Sequence, residues 1–157
     1  MSVTVRRATA DDVDAIASIW HDGWRVAHLG RVPTELEQER LGGSWHDEAA
    51  ARVTCTWVAE TEGRVVGFVT VVDDEIEDIY VAAAVRGAGI ATTLLRHGER
   101  VVRDAGHPTA WLAVVAGNER ARRFYERHGW HDEGRFDHHA RTVSGPVVVP
   151  AHRYRSA

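Results

Sequence analysis

Apolar and polar residues follow two different periods along this chain, and the changes of period predict its elements. In the first third, apolar residues three and four positions apart predict an amphipathic helix that carries Val13, Ile16, Ile19, Trp20 and Trp24. Short apolar runs bounded by turn residues predict strands instead. The full set is strands at 3–8, 54–60, 64–72, 75–81, 109–115, 130–136 and 147–154, with helices beginning near residues 12, 34, 45, 90 and 118. The polar segment 137–146 is predicted to be a mobile linker.

The most informative stretch is the strand at 75–81 and the helix that follows it. Between them lies Arg86-Gly87-Ala88-Gly89, a glycine-rich turn with one fixed positive charge. Such a turn can direct several backbone N–H groups at one point, where the helix N-terminus adds positive potential. Because glycine also lets a bulky anion approach the backbone closely, the turn is predicted to bind phosphate.

Two familiar phosphate-binding loops fit this turn poorly. A P-loop needs Gly-Lys-Ser/Thr at the start of the helix, and the chain contains no lysine. A dinucleotide-binding fingerprint needs a third glycine where Thr92 stands, and it normally follows an opening strand. Both of these assignments are therefore weak.

A second motif lies downstream, after the apolar strand at 109–115. Asn118 precedes a short helix with Ala121, Phe124 and Tyr125, and Gly129 ends that helix. The two motifs are separate in sequence, and together they are more specific than either one alone.

The form Arg86-x-x-Gly89-x-Ala91 after Ile79-Tyr80-Val81 resembles the acetyl-CoA-binding motif of the GCN5-related N-acetyltransferase (GNAT) superfamily. The downstream motif is similar to that family's later motif, and the resemblance covers most of residues 3–136. It implies one α/β N-acetyltransferase domain over residues 1–157. The expected fold is the GNAT fold, a mixed sheet of about seven strands with flanking helices in the order β-α-α-β-β-β-α-β-α-β-β. One departure is Ala83, where many members of the family have proline.

The resemblance also implies acetyl-CoA as acyl donor, held between two parallel strands that separate at their C-terminal ends. In the family the turn holds the pyrophosphate, and a backbone N–H near Val81 polarises the thioester carbonyl. The implied cofactor-binding residues are Ile79, Tyr80, Val81, Arg86, Gly87, Ala88, Gly89, Ile90, Ala91, Asn118 and Phe124. Two of them have simpler alternatives, since Arg86 could pair with a surface carboxylate and Asn118 could serve only as a helix cap.

Catalysis of direct acetyl transfer would need a proton donor and a base. By resemblance Tyr125 is the donor to the departing thiolate, although it could also be a packed aromatic residue with a satisfied hydroxyl. Candidates for the base are Glu75, Glu77 and Asp78, with Glu77 favoured, or else these residues form a solvated acidic strand end. Simple alternation along the strand predicts that Glu75 and Glu77 share a face with Ile79 and Val81, whereas Asp78 and Tyr80 share the other.

The acceptor is predicted to be a primary amine on a small molecule or a protein. In the family the region between the first two helices borders the acceptor site, which points to Trp24, His28 and Arg31. Two rival functions are a catalytically silent acyl-CoA sensor and a nucleotide-binding oxidoreductase.

Composition and charge narrow the possible partners, ligands and location of the protein. A net charge of −4 argues against a nucleic-acid partner, and no apolar run approaches the ~20 residues of a membrane span. The N-terminus has no apolar signal-peptide region, and Cys55 is the single cysteine, so a reducing cytoplasm is the expected location. The ten histidines show no spacing for a zinc site. A homodimer is possible, with the strand that contains residues 147–149 as a contact.

Overall fold

The computed structural model describes residues 2–157 and contains the predicted strands and helices. The strands are β1 (Thr4–Arg7), β2 (Thr56–Thr61), β3 (Arg64–Val72), β4 (Glu75–Val81), β5 (Trp111–Val115), β6 (His131–Ala140) and β7 (Val147–Arg155). The α-helices are α1 (Val13–His28), α2 (Thr34–Gly42), α3 (Trp45–Arg52), α4 (Ile90–Asp104) and α5 (Glu119–Arg127). Helix α3 is the helix predicted to begin near residue 45, which the expected GNAT element order does not include, and the Ser44 hydroxyl caps it by accepting from the Asp47 N–H.

The strands form a seven-stranded sheet in the order β1-β2-β3-β4-β5-β7-β6. Neighbouring strands are antiparallel except β4 and β5, which run parallel. This arrangement confirms the mixed α/β sheet with flanking helices.

The parallel pair β4 and β5 is joined at one end only. Glu75 and Trp111 are its paired residues, and nearby the Trp111 N–H donates to the Asp74 carbonyl at 3.0 Å. The Trp111 indole Nε1 donates to an Asp74 carboxylate oxygen, also at 3.0 Å. Beyond this point the strands separate, while β5 stays paired along its length with β7. The sheet therefore opens at the carboxyl ends of β4 and β5.

Two apolar cores cover the faces of the sheet. One contains the buried face of α4, with Leu94 and Leu95, packed against Val69 and Ile76 of the sheet. The other contains the buried face of α1, with Trp20 and Trp24, packed against Val58, Phe68 and Val149. Helices α1 and α4 are thus anchored on opposite faces, and the opening of the sheet lies between them.

A β-bulge in β4 changes the predicted assignment of its faces. Thr70 of β3 pairs with Asp78 and Val71 pairs with Ile76, so Glu77 is an extra residue in the strand. As a result, Ile76 joins Ile79 and Val81 on the α4 side, and the carboxylate of Glu77 contacts Arg52 of α3 on the opposite side. The prediction that Glu75 and Glu77 share the face of Ile79 and Val81 was wrong, because simple alternation does not allow for the extra residue.

The C-terminal hairpin also differs from its prediction. Strand β6 continues to Ala140, which pairs with Val147, so the connection is a short loop after residue 140 and not a linker from 137 to 146. Strand β7 lies between β5 and β6, but residues 147–149 pair with β6 alone, since the pairing of β7 with β5 covers only residues 151–155. A dimer contact through residues 147–149 stays a prediction. No helix within residues 2–157 is long and apolar enough to cross a membrane.

Candidate active site

A cleft of about 830 Å³ begins where β4 and β5 separate. Its walls come from the ends of these two strands, the turn before α4, helix α5 and the C-terminal half of α1. Nearly all of the predicted site residues line it. These are Trp24, His28, Arg31, Glu77, Ile79, Tyr80, Val81, Arg86, Gly87, Gly89, Ile90, Ala91, Asn118, Phe124 and Tyr125, whereas Ala88 and Glu75 do not contribute to the wall.

The glycine turn has the backbone conformation that its sequence suggested. Gly87 and Gly89 have φ values of 83° and 81°, a region that other residues rarely adopt. Gly89 is also the N-cap of α4, and the first hydrogen bond of that helix runs from the Thr93 N–H to the Gly89 carbonyl at 3.1 Å. The N–H groups just before Thr93 therefore have no helical partner and are available to an anion.

Strand β4 offers an unpaired N–H to the opening of the sheet. The Ala82 N–H donates to the Val66 carbonyl of the β3 side at 2.8 Å. Because successive N–H groups of an extended strand point in opposite directions, the Val81 N–H faces the gap toward β5. An acyl or amide carbonyl in the gap can accept from it.

Tyr125 reaches the cleft from α5. Asn118 caps this helix by accepting from the Ala121 N–H at 3.2 Å, and the Tyr125 ring packs against Phe124, Trp130 and Tyr154. Its hydroxyl forms no hydrogen bond to any residue between 2 and 157. Burial raises the pKa of Tyr125 above its ordinary value, and the charge of Asp78 raises it further. The hydroxyl is therefore protonated at neutral pH. It can donate this proton to a stronger base.

Helix α5 is fixed in place by polar contacts that the sequence did not reveal. The Trp130 indole Nε1 donates to the buried Glu99 carboxylate of α4 at 2.8 Å. His128 Nε2 lies 2.9 Å from the Thr92 hydroxyl, also on α4. These two contacts set the distance between the turn of α4 and the helix that carries Tyr125.

The three acidic residues of β4 have different surroundings. Glu77 forms ion pairs with Arg141 at 2.8 Å and Arg52 at 3.4 Å. Glu75 lies behind the cleft wall, 3.9 Å from His138 Nε2, and burial together with the charges of Glu77 and Asp78 raises its pKa to about 8. Asp78 lines the cleft and its carboxylate accepts no hydrogen bond within residues 2–157. Burial raises the pKa of Asp78, although Arg52 opposes the shift.

A buried network of charges supports these residues from behind. Glu48 of α3 is its centre, with an Arg52 nitrogen at 2.7 Å and an Arg40 nitrogen at 3.1 Å. Both arginines also donate to the Arg141 carbonyl, at 2.8 Å for Arg40 and 2.7 Å for Arg52. The second oxygen of Glu48 accepts from the Val143 N–H at 3.0 Å. The network joins α2 and α3 to the β6–β7 loop, and Arg52 extends it to Glu77.

The far end of the cleft is aromatic. The ring of His28 stacks on Trp24 with centroids 5.3 Å apart, and its Nδ1 lies 3.4 Å from the Tyr80 hydroxyl. Burial lowers the pKa of His28 to about 4, helped by the charges of Arg40 and Arg31, so this imidazole is neutral at pH 7. Arg31 lies over Gly117 of the β5–α5 connection and donates to the Ala27 carbonyl at 2.9 Å.

The comparison with known proteins agrees with this geometry. The model of the acetyltransferase (GNAT) family matches residues 13–130, which is most of the chain. The chain belongs to this family. GNAT enzymes use acetyl-CoA as acyl donor, so this acetyltransferase is an acetyl-CoA-dependent one, as the sequence predicted.

A curated relative supports the same assignment, and solved structures share the fold. An uncharacterised N-acetyltransferase of Methanocaldococcus jannaschii is 31% identical over 133 residues, which are 82% of this chain and 78% of the relative. A GCN5-related N-acetyltransferase from Rhodopseudomonas palustris has a TM-score of 0.80 at 18% identity, covering 100% of this chain and 96% of its own. The PaiA N-acetyltransferase from Thermoplasma acidophilum, solved in complex with coenzyme A, has a TM-score of 0.72 at 16% identity, covering 99% of each chain.

Proposed function

We propose that this GNAT enzyme transfers the acetyl group of acetyl-CoA directly to a primary amine, with both substrates bound in the one cleft. The observation that carries the proposal is the continuity of that cleft, which runs from Arg86 and the glycine turn, between the separated ends of β4 and β5, to Tyr125. A diphosphate and a thin amide-bearing arm fit such a path, because N–H groups at the turn and unpaired strand groups along the gap would bind them.

Three groups of the chain would act on the reacting atoms. The Val81 N–H would donate to the thioester carbonyl oxygen and stabilise the charge that develops there as the amine nitrogen attacks the carbonyl carbon. The C–N bond forms, the C–S bond breaks, and Tyr125 would donate its hydroxyl proton to the departing thiolate. A carboxylate would accept the proton that the amine must lose.

Among the carboxylates, we propose Asp78 as the proton acceptor. The carboxylate of Glu77 is engaged by two guanidinium groups, those of Arg141 and Arg52, so its oxygens are occupied by ion pairs. Glu75 has a pKa of about 8, so it already carries a proton at pH 7, and it lies behind the wall. Asp78 lines the cleft, its carboxylate accepts no hydrogen bond within residues 2–157, and its raised pKa makes it a stronger base than an ordinary aspartate. We propose a positioning role for Glu77, through Arg52 and Arg141.

The acceptor would enter from the aromatic end, beside Trp24, His28 and Arg31. Neutral His28 does not repel an incoming alkylammonium, and Asp78 attracts it. The acceptor is a small molecule or a protein amine. We further propose that residues 1–157 act as one catalytic domain, and that the enzyme works in the cytoplasm, where its single cysteine, Cys55, would stay reduced.

The test is release of free thiol from acetyl-CoA with a panel of primary amines, comparing the parent chain with Tyr125→Phe. We expect turnover to fall about 100- to 10,000-fold, as for loss of a proton donor, with CoA affinity by calorimetry changed less than about twofold. An unaltered rate would remove Tyr125 from the mechanism. Thiol release by neither protein, with CoA still bound, would indicate the rival function of an acyl-CoA sensor.

The choice of base is tested by pH–rate profiles of Asp78→Asn and Glu77→Gln. Asp78→Asn should abolish the acidic limb of the profile and lower turnover by about 100-fold, because the proton acceptor is lost. Glu77→Gln should keep that limb, with its midpoint shifted to lower pH because a neighbouring negative charge is gone. The opposite pattern would assign the base to Glu77.

A further inference from the structure

A cluster of three rings and one guanidinium group lies on the sheet outside the two apolar cores. Its members are Trp111, Phe136, His138 and Arg153, here called the aromatic platform. The ring centroids are 6.1 Å apart for Trp111 and Phe136, 6.1 Å for Trp111 and His138, and 5.8 Å for Phe136 and His138. The Arg153 guanidinium carbon lies 4.2 Å from the centroid of Trp111. All four side chains are partly exposed, and within residues 2–157 neither apolar core includes them.

Strand register places the platform on the face of the sheet that α1 covers. His138 pairs with Val149, which packs beneath α1, and directly opposite residues of an antiparallel pair point to the same face. Phe136 is two positions from His138, and Trp111 is four positions from Val115, which also packs beneath α1, so both rings point to this face as well. Helix α1 thus covers one end of the face, and the platform occupies the other.

The rings of the platform are held in place before any ligand binds. The indole of Trp111 is fixed at its edge by the hydrogen bond to Asp74 and at its face by Arg153, which also pairs with Glu133 at 3.3 Å. A side chain that is already ordered loses little conformational freedom on binding. The platform is therefore a rigid surface suited to an aromatic or large apolar side chain.

The platform is continuous with the acceptor end of the cleft. His138 belongs to both, since it lines the cleft and contacts the other two rings. Its Nε2 is 3.9 Å from Glu75, the residue of β4 that pairs with Trp111. Asp78 lies three residues further along β4, which is about 10 Å at the rise of an extended strand. An extended chain with its amine at Asp78 would reach the platform after about three residues.

We infer that the aromatic platform binds the polypeptide chain of the acceptor, about three residues beyond the N-terminal amine that receives the acetyl group. This inference rests on the proposed function, since it assumes that the amine lies at Asp78. An N-terminal amine has a pKa of about 7.7–8.0, against about 10.4 for a lysine side chain, so more of it is neutral and able to attack at pH 7. The acceptor is therefore a polypeptide with a free N-terminus, and its fourth residue is preferably aromatic.

The experiment compares kcat/KM for two tetrapeptide amides with free N-termini, Ala-Ala-Ala-Phe and Ala-Ala-Ala-Gly, by release of free thiol from acetyl-CoA. The parent chain should favour the phenylalanine peptide about tenfold, mainly through a lower KM, because the added contact lies away from the reacting atoms. In Phe136→Ala this preference should fall to about twofold or less. Phe136→Tyr keeps an aromatic ring and should retain the preference of the parent.

The matched control is Val148→Ala, which removes an exposed apolar side chain from the opposite face of the same β6–β7 hairpin. It should keep the preference of the parent. Equal kcat/KM of the parent for the two peptides would overturn the inference and leave the proposed function intact. This comparison needs the parent alone, so it does not depend on how well a variant folds.

Two further outcomes would also count against the platform as a peptide site. One is acetylation of small amines in the panel but of neither tetrapeptide. The other is an unchanged preference in Phe136→Ala, together with sedimentation that shows a dimeric parent and a monomeric variant, which would assign this face to a second copy of the chain. Failure of the parent to acetylate any amine would instead overturn the proposed function itself.

Discussion

At the scale of single residues, Glu75 couples folding to pH. Its ordinary pKa of 4.5 applies in the unfolded chain and rises to about 8 in the fold, so the folded state binds the proton more tightly. Below pH 4.5 the Glu75 carboxyl is protonated in both the folded and the unfolded state, so its raised pKa costs no stability. As pH rises toward 8 the folded state resists ionisation, and stability is lost.

Glu75→Gln should remove the loss of folding stability that occurs as pH rises toward 8. One pKa unit corresponds to about 1.4 kcal/mol, so the shift corresponds to at most about 5 kcal/mol at high pH. We expect the free energy of unfolding in urea to fall less between pH 5 and pH 9 for the variant than for the parent. Glu62→Gln, the same change at an exposed turn position, should keep the pH dependence of the parent. Parallel curves for Glu75→Gln and the parent would show that Glu75 ionises freely in the fold.

Residues named by the two motifs could be predicted from the sequence, and residues whose importance comes from contacts could not. Arg86, Gly89, Asn118 and Tyr125 stand at fixed spacings in their own segments, and all four line the cleft. Glu48 is different, because nothing in its local sequence indicates that arginines from two other positions surround it. These ion pairs depend on how α2 and α3 pack against each other, which the periodicity of the sequence does not reveal.

At the scale of elements, two backbone features explain why the predicted faces of β4 and the predicted end of β6 were wrong. The extra residue in β4 sends Glu77 toward α3, and no residue type in that strand marks the bulge in advance. Strand β6 runs through polar residues to Ala140, because pairing with the apolar β7 outweighs the low strand preference of its own side chains. The positions and types of the elements along the chain were correct, because long amphipathic segments and apolar strands are the strongest signals. The expected GNAT element order omits only α3 among the α-helices.

The β6–β7 loop should depend on the buried charge of Glu48. Glu48→Gln leaves Arg40 and Arg52 buried without their carboxylate, and breaking one partner of a buried ion pair costs about 3–5 kcal/mol. We expect a lower urea midpoint and faster hydrogen exchange at the Val143 amide, which donates to Glu48. The exposed change Glu35→Gln on α2 should alter the free energy of unfolding by less than about 1 kcal/mol. A Glu48→Gln protein as stable as the parent would mean that the arginines find other acceptors at no cost.

At the scale of the whole molecule, the sheet consists of two parts that meet at one point. Strands β1 to β4 form one antiparallel part, β5 to β7 form the other, and the joint is the contact of Glu75 with Trp111. The order of the elements along the chain and the two parallel strands at the gap were predicted from the sequence. The position of β7 between β5 and β6 and the depth of the opening were not, since they depend on how the strands pair and diverge in space. A ligand in the opening would contact both parts and complete the sheet.

Coenzyme A should therefore stabilise the entire chain against unfolding. A ligand that binds only the folded state adds about 2.7 kcal/mol when its free concentration is 100 times its dissociation constant. For a chain of 157 residues, 1 kcal/mol shifts the melting temperature by about 2–4 °C, so we expect a rise of about 5–10 °C. Differential scanning fluorimetry would measure the rise, with NAD at the same concentration as the comparison ligand. A larger shift with NAD than with CoA would favour a nucleotide-binding oxidoreductase. No shift with saturating CoA would mean that the opening between β4 and β5 is not the donor site.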